Sequence, residues 1–227
     1  PVLGALWGGA HHRAAYEALD ALLGPVAESG AQRGHQAPVG YRIVPAVLGH
    51  ADWAVVQAEA IAATSLPAVT HNPTFLEPDA AHPYGRCVST GGFHNALAAP
   101  AIDGLTGVWA DLCLLAGRLC VSLLNGRASG FSDFLLPERE IGESDGHGAV
   151  GYLPMAIAGF VEEARALAQR SFIPAMDASV FGQDDVAAPA FLAWPKEAKA
   201  GQALDRSLAV LAVAASQALH LPGRPDL

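Results

Sequence analysis

Between Pro100 and Asn125 the chain offers one long helical pattern with very few polar residues. Wound at about 100° per residue, Asp103, Asp111, Arg118, Ser122 and Asn125 fall within a stripe about 100° wide. Everything else on it is apolar or small, including Leu105, Val108, Trp109, Leu112, Leu115, Leu119 and Leu123. Such a helix has to be covered on most of its circumference, so it belongs in the middle of a bundle and predicts an all-α fold. Other segments supply the cover. Ala14–Leu23 is a short amphipathic helix stopped by Gly24-Pro25. Arg42–Ser65 is helical, with Pro45 early enough for its first turn and with Asp52 and Glu59 seven apart on one face. Tyr152–Arg170 and Glu197–His220 complete the set, the last closed by Pro222-Gly223. Ser29–Gly40, Leu66–Thr90, Gly126–Gly151 and Ser171–Pro195 read as loops, and strand signals are weak throughout. The span 1–227 reads as one helical domain.

Composition narrows the function. Of 227 residues, 52% are hydrophobic and only 15% charged, against about 25% charged in a typical domain. That deficit predicts an oligomer or a part of something larger. The net charge of −9, with no Lys/Arg cluster, repels phosphate backbones and anionic lipid, so nucleic acid and membrane surfaces are poor partners. No apolar run of about 18 residues is free of charge, and no bilayer span is expected. Cys87, Cys113 and Cys120 form no disulfide pattern. They read as small hydrophobes in a reducing, cytoplasmic compartment.

Nine histidines invite a metal reading, yet no His-x-x-x-His, Cys-x-x-Cys or Glu-x-x-His pair occurs, and no metal site is expected. Three loop clusters hold the chemistry instead. In His35–Arg42, an Arg at a helix start after a Pro/Gly loop can present its planar fork to a carboxylate, or pair locally at the surface. In Ser89–Asn95, Gly91-Gly92 before the long helix leaves room for a ligand near backbone N–H groups, or serves as a connector. Gly182-Gln183-Asp184-Asp185 is an acidic turn whose adjacent carboxylates imply no dyad by themselves.

Taken in order, these clusters resemble the C-terminal half of the aromatic amino acid ammonia-lyases, the histidine and phenylalanine ammonia-lyases and related aminomutases. Gln36-Ala37-Pro38-Val39-Gly40-Tyr41-Arg42-Ile43-Val44-Pro45-Ala46-Val47-Leu48-Gly49 is similar to that family's Gln-Asp-Pro-Tyr-Ser-x-Arg-x-x-Pro-Gln-x-x-Gly. His71-Asn72-Pro73 resembles its Asp-Asn-Pro, and Ser89–Asn95 its Ser-Gly-Gly-Asn-Phe-His-Gly with Phe93-His94 retained. Gln183-Asp184-Asp185-Val186 resembles its Gln-Glu-Asp loop, and Ser207–Leu221 its closing Ala/Leu-rich helix. The resemblance implies a fumarase/aspartase-like long-helix bundle and removal of ammonia from an L-α-amino acid, or a 2,3-amino shift. It assigns Arg42 to the substrate carboxylate, Gln36 to a place near the prosthetic group, Phe93 to an aromatic wall, and Asp184 to the substrate amine or side chain. The family's 4-methylideneimidazol-5-one group is cyclised from Ala-Ser-Gly in the N-terminal half, which this chain does not contain. It is therefore expected only in a partner chain, an N-terminal-half polypeptide, alongside further copies of this one. Ala128-Ser129-Gly130 reads as a chance tripeptide. Val39 replaces the motif tyrosine, with Tyr41 two residues on, and Gly92 replaces the Asn before Phe-His. Two alternatives follow: a non-catalytic scaffold subunit, or a lyase-fold enzyme using Tyr41, His94 and Asp184 as acid/base groups. The three clusters are expected around one shared cleft, with Arg42 paired to Asp184 or Asp185 at rest.

Three or four helices cannot cover both Arg42–Ser65 and Pro100–Asn125, and the surplus apolar area exceeds the few hundred Å² normal for a monomer. Size-exclusion chromatography with light scattering at micromolar concentration should give a particle heavier than the 23.4 kDa chain. A well-behaved particle of chain mass contradicts the expectation.

Overall fold

In the computed structural model, which describes residues 9–24, 36–136, 147–171 and 176–221, the long apolar pattern is a helix over Ala98–Leu124. It is the fourth of the helices among the described residues. These are α1 (Ala10–Leu23), α2 (Val39–Arg42), α3 (Val44–Ser65), α4 (Ala98–Leu124), α5 (Gly126–Ser129), α6 (Leu153–Leu167) and α7 (Ala190–His220). Two small antiparallel hairpins interrupt them: β1 (Thr74–Leu76) with β2 (Arg86–Val88), and β3 (Met176–Ser179) with β4 (Asp184–Val186).

Three helices cover α4. Against α3, Val108 packs on Ala51 and Ala54, with Leu105, Trp109 and Leu112 alongside. Toward α6 and α7, Cys113 meets Ala164, Ala203 and Leu204. Further along, Ala116, Cys120 and Leu124 pack with Leu135, Ile157, Ala214, Ala218 and Leu221. These pairings set the directions: α3 and α6 run antiparallel to α4, and α7 runs parallel to it. On α7 the buried residues Ala193, Ala200, Ser207 and Ala214 recur every seven positions, with Ala203 and Ala218 beside them. That spacing keeps one narrow seam facing its partner, and side chains this small let the helix axes approach closely. Burial pushes the Cys113 and Cys120 thiols above their usual range, with a Ser207 hydrogen bond partly offsetting it for Cys113. Both behave as core hydrophobes.

By length and composition the stretch Gly92–Leu124 is apolar enough to cross a bilayer, which the sequence reading excluded. In the fold that apolar length meets α3, α6 and α7, and the Asp103 side chain is buried with them. The outermost helix, α1, has no buried residue and lies on α3. Gly49 makes that contact possible: a Cβ there would stand 2.5 Å from the His12 Cα. His11 Nδ1 hydrogen-bonds Asp52 Oδ2 at 2.6 Å beside it.

Two expectations need correction. α7 starts at Ala190, ahead of the expected Glu197, and carries Pro195 inside it. Proline removes one helical hydrogen bond, to the Phe191 carbonyl. Ala193 is fully buried on the preceding turn, so packing retains that turn despite the break. The loops Leu66–Thr90 and Ser171–Pro195 also contain strands. Each strand is three or four residues long, too short for an alternating pattern to register, and each pair forms by local closure. Residues 25–35, 137–146 and the closing Pro222-Gly223 lie outside the described residues.

Ile157 is 1% exposed at the junction of α4, α6 and α7. Ile157→Ala should destabilise the fold by about 2–5 kcal/mol, read as a shift of the urea midpoint at unchanged slope. A shift below about 0.5 kcal/mol, the surface-substitution range, would contradict the packing described.

Candidate active site

The Gln36–Arg42 cluster is built on the break between two helices. Pro38 precedes α2, and Ile43 separates it from α3. A Cβ on Gly40 would stand 3.7 Å from the Arg118 Cβ, which seats the cluster against the C-terminal half of α4. Tyr41 hydrogen-bonds Ser122 on that helix. Partial burial pushes its phenol up from the ordinary value, and the Ser122 hydrogen bond offsets part of this. Gln36 is exposed. Arg42 is exposed as well, and its Nε donates to the Ala37 carbonyl at 3.0 Å. Arg42 and Tyr41 form one wall of a cavity of about 620 Å³, and His12, Tyr16 and Asp20 of α1 form the other.

The second cluster caps the opposite end of α4. Gly92–His94 is a single 3₁₀ turn, followed by Asn95 in the left-handed region at φ 42°. The Asn72 side chain ties two of the sequence motifs together: its Oδ1 accepts the Thr90 N–H at 2.8 Å and the Ser89 hydroxyl at 3.2 Å. The Thr90 hydroxyl donates to the His71 carbonyl at 2.8 Å. Phe93 is 52% exposed and His94 is half-buried. A Cβ on Gly92 would stand 3.1 Å from the Val69 carbonyl oxygen. This turn is therefore shaped for the glycine, and a side chain there requires the 69–70 backbone to give.

The third cluster sits on the β3–β4 hairpin. Val180–Gly182 forms its turn, with Gly182 at φ 83°. Asp184 opens β4, and its side chain lies outside the described residues; Gln183 and Asp185 are exposed. The hairpin leads into α7, whose Glu197 accepts the Trp109 indole N–H of α4 at 2.7 Å. Through this contact the start of α7, beyond the hairpin, is held against the middle of α4.

The chain thus holds the Arg42 and Phe93 clusters toward opposite ends of α4. Residues 98 and 118 of α4 are about 30 Å apart along the axis. Arg42 is bonded to the Ala37 carbonyl, and among the described residues it makes no ion pair with Asp185; the Asp184 side chain lies outside them. Gln36 and Phe93 are likewise set toward opposite ends of α4. Ala128-Ser129-Gly130 ends α5 in an ordinary turn, with Gly130 at φ 80° and the Ser129 hydroxyl donating to the Asn125 carbonyl. Among the described residues, no group of three or more His, Cys, Asp or Glu is placed to hold a metal.

Sequence reading missed one polar group. Asp103 reads from the sequence only as one member of the polar stripe of the long helix, and in the fold it is 8% exposed. Its Oδ2 accepts the Ser171 backbone N–H at 2.6 Å, and Lys196 Nζ lies 3.9 Å from its Oδ1. The available signal was its position at the apolar N-terminal end of that stripe.

A central long helix flanked by antiparallel and parallel partners, with loop clusters at both of its ends, defines a lyase-type helical bundle. The aromatic amino acid lyase family model matches residues 8–226, and the chain belongs to that family. It is 39% identical over 97 residues to a histidine ammonia-lyase of Deinococcus radiodurans, covering 42% of this chain and 17% of the relative. It is 27% identical over 188 residues to a histidine ammonia-lyase of Sorangium cellulosum, covering 82% of this chain and 35% of the relative. The crystal structure of the ergothioneine-degrading enzyme ergothionase from Treponema denticola shares the fold. The TM-score is 0.80 at 18% identity, over 98% of this chain and 43% of that one. The chain therefore spans less than half the length of each of these proteins.

The Tyr41 environment gives a measurable prediction. Its folded pKa is raised above the ordinary 10.0, so the fold favours the neutral phenol. The linked stability is fully present below pH about 10 and is lost as pH rises through the folded value. In an ultraviolet difference titration against Tyr41→Phe, Tyr41 should ionise above the free tyrosine range, and Ser122→Ala should move it higher still. Ionisation at or below the free value contradicts this packing.

Proposed function

We propose that this chain is the C-terminal portion of an ammonia-lyase-like enzyme and acts with an N-terminal-half polypeptide that carries the electrophilic prosthetic group. The reaction would be removal of ammonia from an L-α-amino acid, or the related 2,3-amino shift. The observation that carries this reading is the arrangement around α4. Arg42 and Phe93 sit exposed toward opposite ends of one long helix, as a site shared between chains requires. Copies packed against each other would bring the Arg42 end of one α4 to the Phe93 end of another. In such a site Arg42 binds the substrate carboxylate with a planar fork, preset by its bond to Ala37. Phe93 supplies an aromatic wall, Asp184 faces the substrate amine, and Gln36 stands beside the prosthetic group. Tyr41 and His94 are the titratable groups nearest these positions.

The exposed apolar surface supports the assembly. Leu48, Trp53 and Val56 on α3, Leu114 and Val121 on α4, and Phe191 and Trp194 on α7 are all at least 37% exposed. Two buried thiols and one exposed one suit a reducing, cytoplasmic compartment. A second reading, a scaffold subunit without its own activity, draws on one observation: Gly92 stands where the family motif carries Asn, and a Cβ there would meet the Val69 carbonyl oxygen at 3.1 Å, so the 69–70 backbone would have to give by a few tenths of an ångström.

Arg42→Lys keeps the charge and loses the bidentate fork. In the assembly with its N-terminal partner, it should weaken amino-acid binding by about 1–3 kcal/mol with folding intact, and Arg42→Ala should cost more. Titration with candidate amino acids and their acrylate products checks this. Unchanged affinity in both variants removes Arg42 from the site and puts the scaffold reading ahead.

A further inference from the structure

The segment carrying Gln183-Asp184-Asp185 leaves the bundle after Ser171 and returns to it in the first turns of α7, at Ala193 and Lys196. Both ends close on the same buried carboxylate. Asp103 Oδ2 accepts the Ser171 backbone N–H at 2.6 Å, fixing the outgoing end to α4. Lys196 fixes the returning end: its Nζ lies 3.9 Å from Asp103 Oδ1 and donates to the Ser171 hydroxyl at 2.8 Å and to the Gln169 carbonyl. Side-chain exposure is 6% for Asp103 and 15% for Lys196, so the pair is shielded from water. One residue further on, Glu197 accepts the Trp109 indole N–H. These anchors directly follow Pro195, where α7 gives up a backbone hydrogen bond. A buried ion pair is a weak source of net stability, because desolvating both charges offsets their attraction. It is a strong source of geometry, because it tolerates few alternative arrangements. Asp103 Oδ1 has no hydrogen-bond partner among the described residues, so Lys196 is the cation that compensates it.

We infer that Asp103, Lys196 and Ser171 form a clamp that draws both ends of the loop bearing Asp184 onto the N-terminal half of α4 and so restrains that loop. They are positioning residues for the part of the site that faces the substrate amine. The inference rests on the lyase reading for that function, but the clamp itself is a property of the chain.

The test uses the native assembly with Lys196→Met, Lys196→Arg, Asp103→Asn and Ser171→Ala. Hydrogen–deuterium exchange of peptides over residues 176–189 should rise about tenfold in Lys196→Met and Asp103→Asn, with the α4 and α6 core peptides unchanged. Lys196→Arg should restore much of the protection. Ser171→Ala removes only a hydroxyl and should give a smaller rise, which keeps the inference testable if the other variants fail to fold. The second readout compares two ligands. Loosening Asp184 should raise KM for the amino acid substrate about tenfold while the acrylate product, which has no amine, binds as before. Unchanged exchange over residues 176–189 overturns the inference. So does faster exchange with KM and acrylate affinity moving together, since that marks general loosening of the fold. If no amino acid is turned over while exchange rises as stated, the clamp stands and the lyase reading falls.

Discussion

The parallel packing of α7 on α4 is the contact on which the remaining structure depends. Its seam is made of small residues. Ala200, Ala203, Ser207 and Ala214 are fully buried against a helix that offers Cys113, Ala116 and Cys120 in return. Side chains of this size let the two backbones approach closely, and the larger residues to either side then fill the flanks toward α6 and α3. A long helix packed this tightly keeps its length and direction. The Phe93 cluster near one end and the Arg42 cluster near the other are therefore held apart by a fixed spacer.

That spacer is also why the functional reading leads outward. Among the described residues, the motif residues do not share one cleft: Arg42 and Tyr41 line a cavity against α1, and Phe93 stands exposed toward the other end of α4. They stand at the ends of α4 among exposed Trp, Phe, Leu and Val side chains, next to surface that other chains would cover. The low charge content goes with the exposed apolar faces of α3, α4 and α7. Under the proposal of a shared site, those faces are the surface that other chains would cover.

Much of the fold was legible in the sequence, and the reasons are specific. α3 and α4 announce themselves by a single narrow polar stripe, a pattern that only central helices can carry. The start of α7 was hidden by Pro195, which marks a helix boundary in most contexts. Only the burial of Ala193, a tertiary fact, keeps the preceding turn helical. The hairpins were hidden because strands such as Thr74–Leu76 are too short to show a period. The candidate site was legible as a set of residues through motif order, including Arg42, Phe93-His94 and the acidic turn. Its geometry was not legible. Motif spacing along a chain says nothing of which end of a long helix each motif reaches, and a buried acid such as Asp103 looks like any other residue on a polar stripe.

The central claim is that clusters separated within one chain meet between chains. Cys113 and Cys120 are buried and Cys87 is exposed, so a Cys87→Ser background leaves no accessible thiol. One population then carries a spin label in place of Phe93 and a second carries one in place of Gln36. Pulsed electron spin resonance on the mixed, fully assembled protein reads the distance between them. The account predicts a peak well below the roughly 30 Å that α4 imposes within a single chain. A distribution holding only distances of that length or greater would contradict it.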